Sequence, residues 1–137
     1  MSHLPPAIER DWQEAVQVHR VGAHASAVVA CGRTLEAAAD EHGIEGRTLQ
    51  QRLNKMLEQG LITNRFHEAM DYARLIRNTG AHAGQPVSPE SAEGTMRFTQ
   101  QALRLLFEVP GELDRLQGRP PELAAADGDS ECAPADE

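Results

Sequence analysis

Arg77, Asn78 and His82 place three side chains suited to handling an anion and a proton within the six-residue segment Arg-Asn-Thr-Gly-Ala-His. A guanidinium is a planar fork of donors that fits a carboxylate or a phosphate. An imidazole takes up and releases a proton near neutral pH, as a general acid or base must. Asn78 adds a neutral donor and acceptor that can position an anion or the ring. Gly80 and Ala81 are small, so the backbone can bend there and a ligand can approach it. An Arg and a His with four residues between them are common by chance in a chain with six histidines. The setting therefore carries more information than the spacing.

In that setting Arg77 follows Ala73 by four residues and Met70 by seven, at the edge of an apolar helical stripe. Glu36 has the same relation to the preceding stripe, beside Leu35. Two opposite charges leaning inward from neighbouring helices need each other, because an unpaired buried charge is costly. Contact of Glu36 with Arg77 or Arg33 is expected, worth about 3 kcal/mol if buried and much less if exposed. Taken alone, such a pair reads as a structural tie that fixes helix register.

The elements that hold these residues follow from periodicity. Ile8, Trp12, Ala15, Val16 and His19 share one face of a first helix opened by Pro5-Pro6. Ala25, Val28, Val29, Gly32, Leu35 and Ala39 mark a second, ended by His42-Gly43. Thr48 to Leu57 is a short third helix stopped by Gly60, and Thr63 or Asn64 can cap a fourth with the stripe Phe66, Ala69, Met70, Ala73, Ile76 and Gly80. After a loop from Ala81 to Val87, Ser88-Pro89-Glu90 has the composition of a helix start. The fifth helix carries Ala92, Met96, Thr99, Leu103, Leu106 and Phe107, and Pro110-Gly111 is expected to break it. The expected fold is all-α: an antiparallel bundle of about five helices over residues 1–117, then a disordered acidic tail over 118–137.

Composition narrows the function. The net charge is −8, of which residues 111–137 carry −6, so the remaining 110 residues carry −2 and do not advertise a nucleic-acid binder. A local basic pocket stays compatible with that balance. No apolar run is long enough to span a bilayer and no hydrophobic leader opens the chain, so no membrane partner and a cytoplasmic location are expected. Cys31 lies in an apolar stretch and Cys132 in the tail, with no CxxC partner for either. His19 and His24 are five apart across Gly22, and His42 and His67 lack neighbours at zinc spacing, so no metal and no cofactor are expected. Residues 48–62 imitate the recognition helix of a winged-helix DNA-binding domain. A further helix follows instead of a two-stranded wing, and Arg47, Arg52 and Lys55 are too few to anchor phosphates, so DNA is an unlikely partner.

Four ordered landmarks carry a family resemblance over Pro6 to Leu116. They are Gly32-Arg33-Thr34-Leu35-Glu36, Thr48-Leu49 through Gly60-Leu61-Ile62, Ile76-Arg77 through Ala81-His82, and Phe107-Glu108-Val109-Pro110. Together they resemble the HEPN superfamily (higher eukaryotes and prokaryotes nucleotide-binding), in a bacterial branch known as a domain of unknown function. Many members of that branch place Asn after the motif glycine. Here Ala81 follows Gly80 and Asn78 follows Arg77 directly, closer to the catalytic HEPN pattern. The resemblance implies a homodimer that binds RNA and cleaves it without a metal, with Arg77 and His82 catalytic and Asn78, Glu36 and Arg33 supporting. It implies attack of the RNA 2′-hydroxyl on the adjacent phosphate, His82 moving the proton and Arg77 holding the charge that builds on phosphate oxygens. The other reading of the same residues is a noncatalytic helical interaction or dimerisation module, in which Arg77, Glu36 and His82 serve the fold or an interface.

Overall fold

Pro6 opens the first helix at a position where a missing N–H has no helical acceptor to leave unmet. In the computed structural model, which describes residues 1–81 and 86–118 with side chains for all of these except 76–81, this helix, α1, runs Pro6–Arg20. It buries Ile8, Trp12 and Ala15 along one face. α2 spans His24–Glu41, α3 Leu49–Glu58, α4 Asn64–Ala81 and α5 Pro89–Leu103. A π-helical turn, Arg104–Glu108, leads directly into α6, Val109–Gln117. The described chain is all-helical, with five rods and no strand among the described residues. No helix among them is long and apolar enough to cross a membrane.

The helix starts are local chemistry. Thr48 accepts a hydrogen bond from the Gln51 amide at 3.1 Å, Thr63 from Phe66 at 3.2 Å, and Ser88 from Ser91 at 3.0 Å. Each satisfies an amide that the first helical turn leaves without a partner. Thr63 therefore supplies the cap of α4. Gly43 and Gly60 end α2 and α3 with φ of +73° and +76°, which a side-chain-bearing residue resists.

α2 is the axis of the bundle, packed against α1, α3, α4 and α5. It buries Ala27, Val28, Ala30, Cys31, Gly32, Thr34, Leu35, Ala38 and Ala39, on more than one side. Mostly small residues let the neighbouring backbones come close. The expected stripe described one of these sides; its members Ala25 and Val29 are half-buried and line a groove beside α1. The buried hydroxyls of Thr34, Thr95 and Thr99 donate to carbonyls four residues earlier at 2.8–2.9 Å, which removes the cost of burying them.

The expected break at Pro110-Gly111 does not occur. The rod continues to Gln117 and ends at Gly118, with φ +76°. Ahead of the proline the ladder widens, and the Val109 amide bonds to the Arg104 carbonyl five residues back. Pro110 has no N–H for the Leu106 carbonyl, four residues earlier, and the Nε2–H of His42 donates to that oxygen instead at 3.1 Å. The His42 ring also lies against Phe107, centroids 5.0 Å apart. A π-turn and a donor from α2's C-cap thus absorb the proline. The tail expected over 118–137 falls, apart from Gly118, outside the described residues.

Candidate functional site

α4 remains helical through Ala81, so Arg77 and Asn78 occupy its last turns and His82 comes next in the chain. The side chains of Arg77 and Asn78, and all of His82, lie outside the described residues. Described on the preceding turn of α4 is its seam with α2, built from Val28, Cys31, Gly32 and Leu35 of α2, Leu49 of α3, Ala73 and Arg74 of α4, and Thr95 of α5. These groups pack closely enough to leave no room for a water molecule. Met70 and Ala73 are buried there. In register, Arg77 stands seven and four residues beyond them.

Arg74 is the seam's charged member. Its side chain is 17% exposed, and its Nε donates to Asp71 Oδ1 at 3.0 Å, one turn earlier on α4. Neither residue was singled out from the sequence. The signal available was the Asp-x-x-Arg spacing, which suits a pair on one helix face.

The two supporting residues on α2 part company. Arg33 is exposed and its Nη2 pairs with Glu14 Oε2 on α1 at 3.1 Å, so Arg33 ties α2 to α1. Glu36 is half-buried, on the next turn of α2. Its backbone carbonyl accepts from Arg52 Nη1 at 2.9 Å. The same guanidinium reaches Asp40 Oδ1 at 2.7 Å and, through Nε, the Gly46 carbonyl at 3.1 Å. Arg52, one of the three basic residues of 48–62 and its flank that are too few to anchor phosphates, is occupied in fastening α3 to the end of α2.

Cys31 is enclosed, with its thiol 3.3 Å from Met96 Sδ. Burial pushes its pKa up to about 11, against a smaller opposing effect from a hydrogen bond with Thr99. It is a packing residue and not a nucleophile at neutral pH. Among the described residues no three His, Cys, Asp or Glu side chains converge as metal ligands do. His67 and Asn54 bond to each other at 2.8 Å between α4 and α3.

A family model described as a domain of unknown function, DUF4145, matches residues 13–119, and the chain belongs to that family. No curated protein and no solved structure gives a match.

Proposed function

We propose that this DUF4145 chain is a HEPN-like RNA-binding domain that cleaves RNA without a metal, using Arg77 and His82 at the interface of a homodimer. The observation that carries the reading is the unbroken register of α4. It sets the backbone of Arg77 and Asn78 in the last described turns of a helix packed on α2, with His82 next in the sequence. A packed helix would hold the Arg in place, and the His that follows in the sequence would meet the substrate. The tight α2–α4 seam supports this by making the base of the motif rigid. Arg77 would hold the charge on the phosphate oxygens, His82 would move the proton of the attacking 2′-hydroxyl, and Asn78 would orient the phosphate or the ring. Two copies about a twofold axis would supply an acid and a base together. The location implied is cytoplasmic.

The test is incubation of the purified chain, Arg77→Ala and His82→Ala with total cellular RNA in excess EDTA. Cleavage by the wild type that leaves 2′,3′-cyclic phosphate ends, abolished in both variants with helicity retained, is the expected result. If the wild type cuts nothing, or His82→Ala cuts equally well, the nuclease reading fails. The exposed apolar face of α6 then favours the interaction-module reading.

A further inference from the structure

Residues 15–35 and 72–89 contain no acid, in a chain with 21 Asp and Glu among its 137 residues. The fold brings parts of the two stretches together. The Cys31 thiol of α2 meets Met96 Sδ of α5 at 3.3 Å, and His42, just past α2, bonds the Leu106 carbonyl, just past α5, so these two helices run the same way. α4 runs against them. His67 near its start bonds Asn54 of α3, the helix that Arg52 fastens to Glu36 and Asp40 late in α2. Ala73 and Arg74, further along α4, pack with Val28, Cys31 and Gly32, earlier in α2. One end of the bundle therefore holds the last turn of α4, the first turn of α2 and the turn Val21–Ala23 that joins α1 to α2. On that turn His19 and Arg20 close α1, and His24 opens α2. The His19 and His24 rings meet edge to face, centroids 6.2 Å apart. His24 Nδ1 is buried with no hydrogen-bond partner. A buried N–H without an acceptor is costlier than an unmet lone pair, so the neutral ring carries its proton on Nε2 and donates from there. Arg20 is exposed and enters no ion pair among the described residues.

We infer that this turn is a second phosphate-binding patch for RNA, with Arg20 as its charged fork, His24 as its neutral donor and His19 holding the His24 ring. It rests on the RNA reading above and gives the strand a path. With the scissile phosphate at the end of α4, the strand crosses the start of α2, and a flanking phosphate settles on Arg20. α1 and α4 each pack on α2. Packed helix axes stand about 8–10 Å apart, which puts Arg20 on the order of 10–20 Å from the end of α4, a span of a few nucleotides. An exposed guanidinium meets phosphate oxygens as a fork. A carboxylate beside it would repel the strand, and the two acid-free stretches keep carboxylates out of this end until Glu90, in the first turn of α5. The net −8 of the whole chain discourages RNA elsewhere. Folding alone gives no reason for the arrangement. His24 leaves a buried nitrogen unmet, and α2 starts at Ala23 without the side-chain cap that a Ser or Asp would supply.

Binding is tested apart from cleavage. A short single-stranded RNA, 2′-O-methylated at every position so that no 2′-hydroxyl can attack, is titrated with the full chain by fluorescence anisotropy at several salt concentrations. The proteins are the wild type, Arg20→Glu, His24→Ala and Arg115→Glu, which makes the same change of charge on α6, beyond the other end of α5. The expected result is binding by the wild type, kept within about twofold in Arg115→Glu, weakened at least ~10-fold in Arg20→Glu and at least ~3-fold in His24→Ala. In Arg20→Glu the slope of log affinity against log salt should also fall by about 0.7, the share of one phosphate contact on a single strand. Its circular dichroism and thermal midpoint should match the wild type, because the side chain is exposed. Inorganic phosphate at low millimolar concentration should leave the RNA bound; displacement by it would mark a small-anion site and overturn the assignment to RNA. If Arg20→Glu binds as tightly as Arg115→Glu, the patch is overturned, and the nuclease reading stands or falls separately on cleavage by His82→Ala. A wild type that neither binds this RNA nor cuts an unmodified one overturns both.

Discussion

Gly111→Ala is a substitution whose effect depends on a residue more than a hundred positions away. Gly111 lies inside a helix, where alanine is ordinarily better by about 1 kcal/mol. A Cβ built there would stand 2.5 Å from Nδ1 and 2.7 Å from Cβ of His3, distances that real contacts do not reach. His3 belongs to an N-terminal strap over the rod. The Ser2 and His3 amides donate to the Glu108 carboxylate at 3.2 and 2.7 Å, and His3 Nε2 is 3.4 Å from Glu112 Oε1. The two amide bonds to the Glu108 carboxylate contribute about 1.5 kcal/mol each, and ordering the few residues of the strap costs nearly as much, about 1 kcal/mol per residue. The strap is then worth on the order of 1 kcal/mol. In the wild-type background the new methyl expels the strap and the two effects nearly cancel. In a His3→Gly background no side chain is left to displace, and Gly111→Ala stabilises by about 1 kcal/mol. Urea unfolding of the four proteins gives the coupling between positions 3 and 111, expected near 1 kcal/mol. If Gly111→Ala stabilises both backgrounds equally, the packing of His3 on Gly111 and the reasoning from it are refuted.

Arg52→Ala should lower stability by about 2 kcal/mol, because three oxygens of α2 and the α2–α3 connection lose one shared donor. Arg52→Lys should recover less than half in the same urea experiment, since an ammonium cannot span the three as a planar fork does. His42→Ala should cost about 1–2 kcal/mol by leaving the Leu106 carbonyl without its donor, and less in a Pro110→Ala background, where the restored amide can serve that oxygen. Equal costs in both backgrounds would show that the His42 bond does not compensate for the proline. In a Cys132→Ser variant, Cys31 should resist a thiol reagent at pH 8 until urea unfolds the chain, its thiolate fraction being about 10⁻³ when folded. Because the folded thiol's pKa is raised from 9.0 to about 11, its contribution to stability is full below pH 9 and is lost as pH rises through 11. Wild type and Cys31→Ala should therefore converge in thermal midpoint across that window.

Most helix boundaries were legible because the groups that set them are neighbours in the chain. Thr48, Thr63 and Ser88 each satisfy an amide three residues on, and no distant residue enters. Pro110 misled for the complementary reason. The rule that proline breaks a helix assumes that its abandoned carbonyl finds no donor, and here the donor is His42, sixty-four residues earlier than Leu106. No local pattern carries that bond. The charged residues follow the same division. Asp71–Arg74, three apart on one helix, was readable in principle. The partners of Arg33 and Arg52 depended on which acceptors the packing of α1 and α3 against α2 would deliver. The stripe on α2 was drawn for a helix with one buried side, and a central helix has several.

Folding needs explain α2 well and the last rod poorly. Every buried residue of α2 is apolar, small or a back-bonded threonine, so the core accounts for its composition. Nothing in the core calls for Leu113 or Leu116 in water. Selection for stability alone would place polar residues there. That face of α6 is therefore where work other than folding is to be sought. Its side chains also lie where a change disturbs packing least, so stability and function should separate under mutation. Substitutions along α2 should lower the unfolding midpoint and any activity together, whereas those at Leu113, Leu116 and His82 should act at nearly constant midpoint.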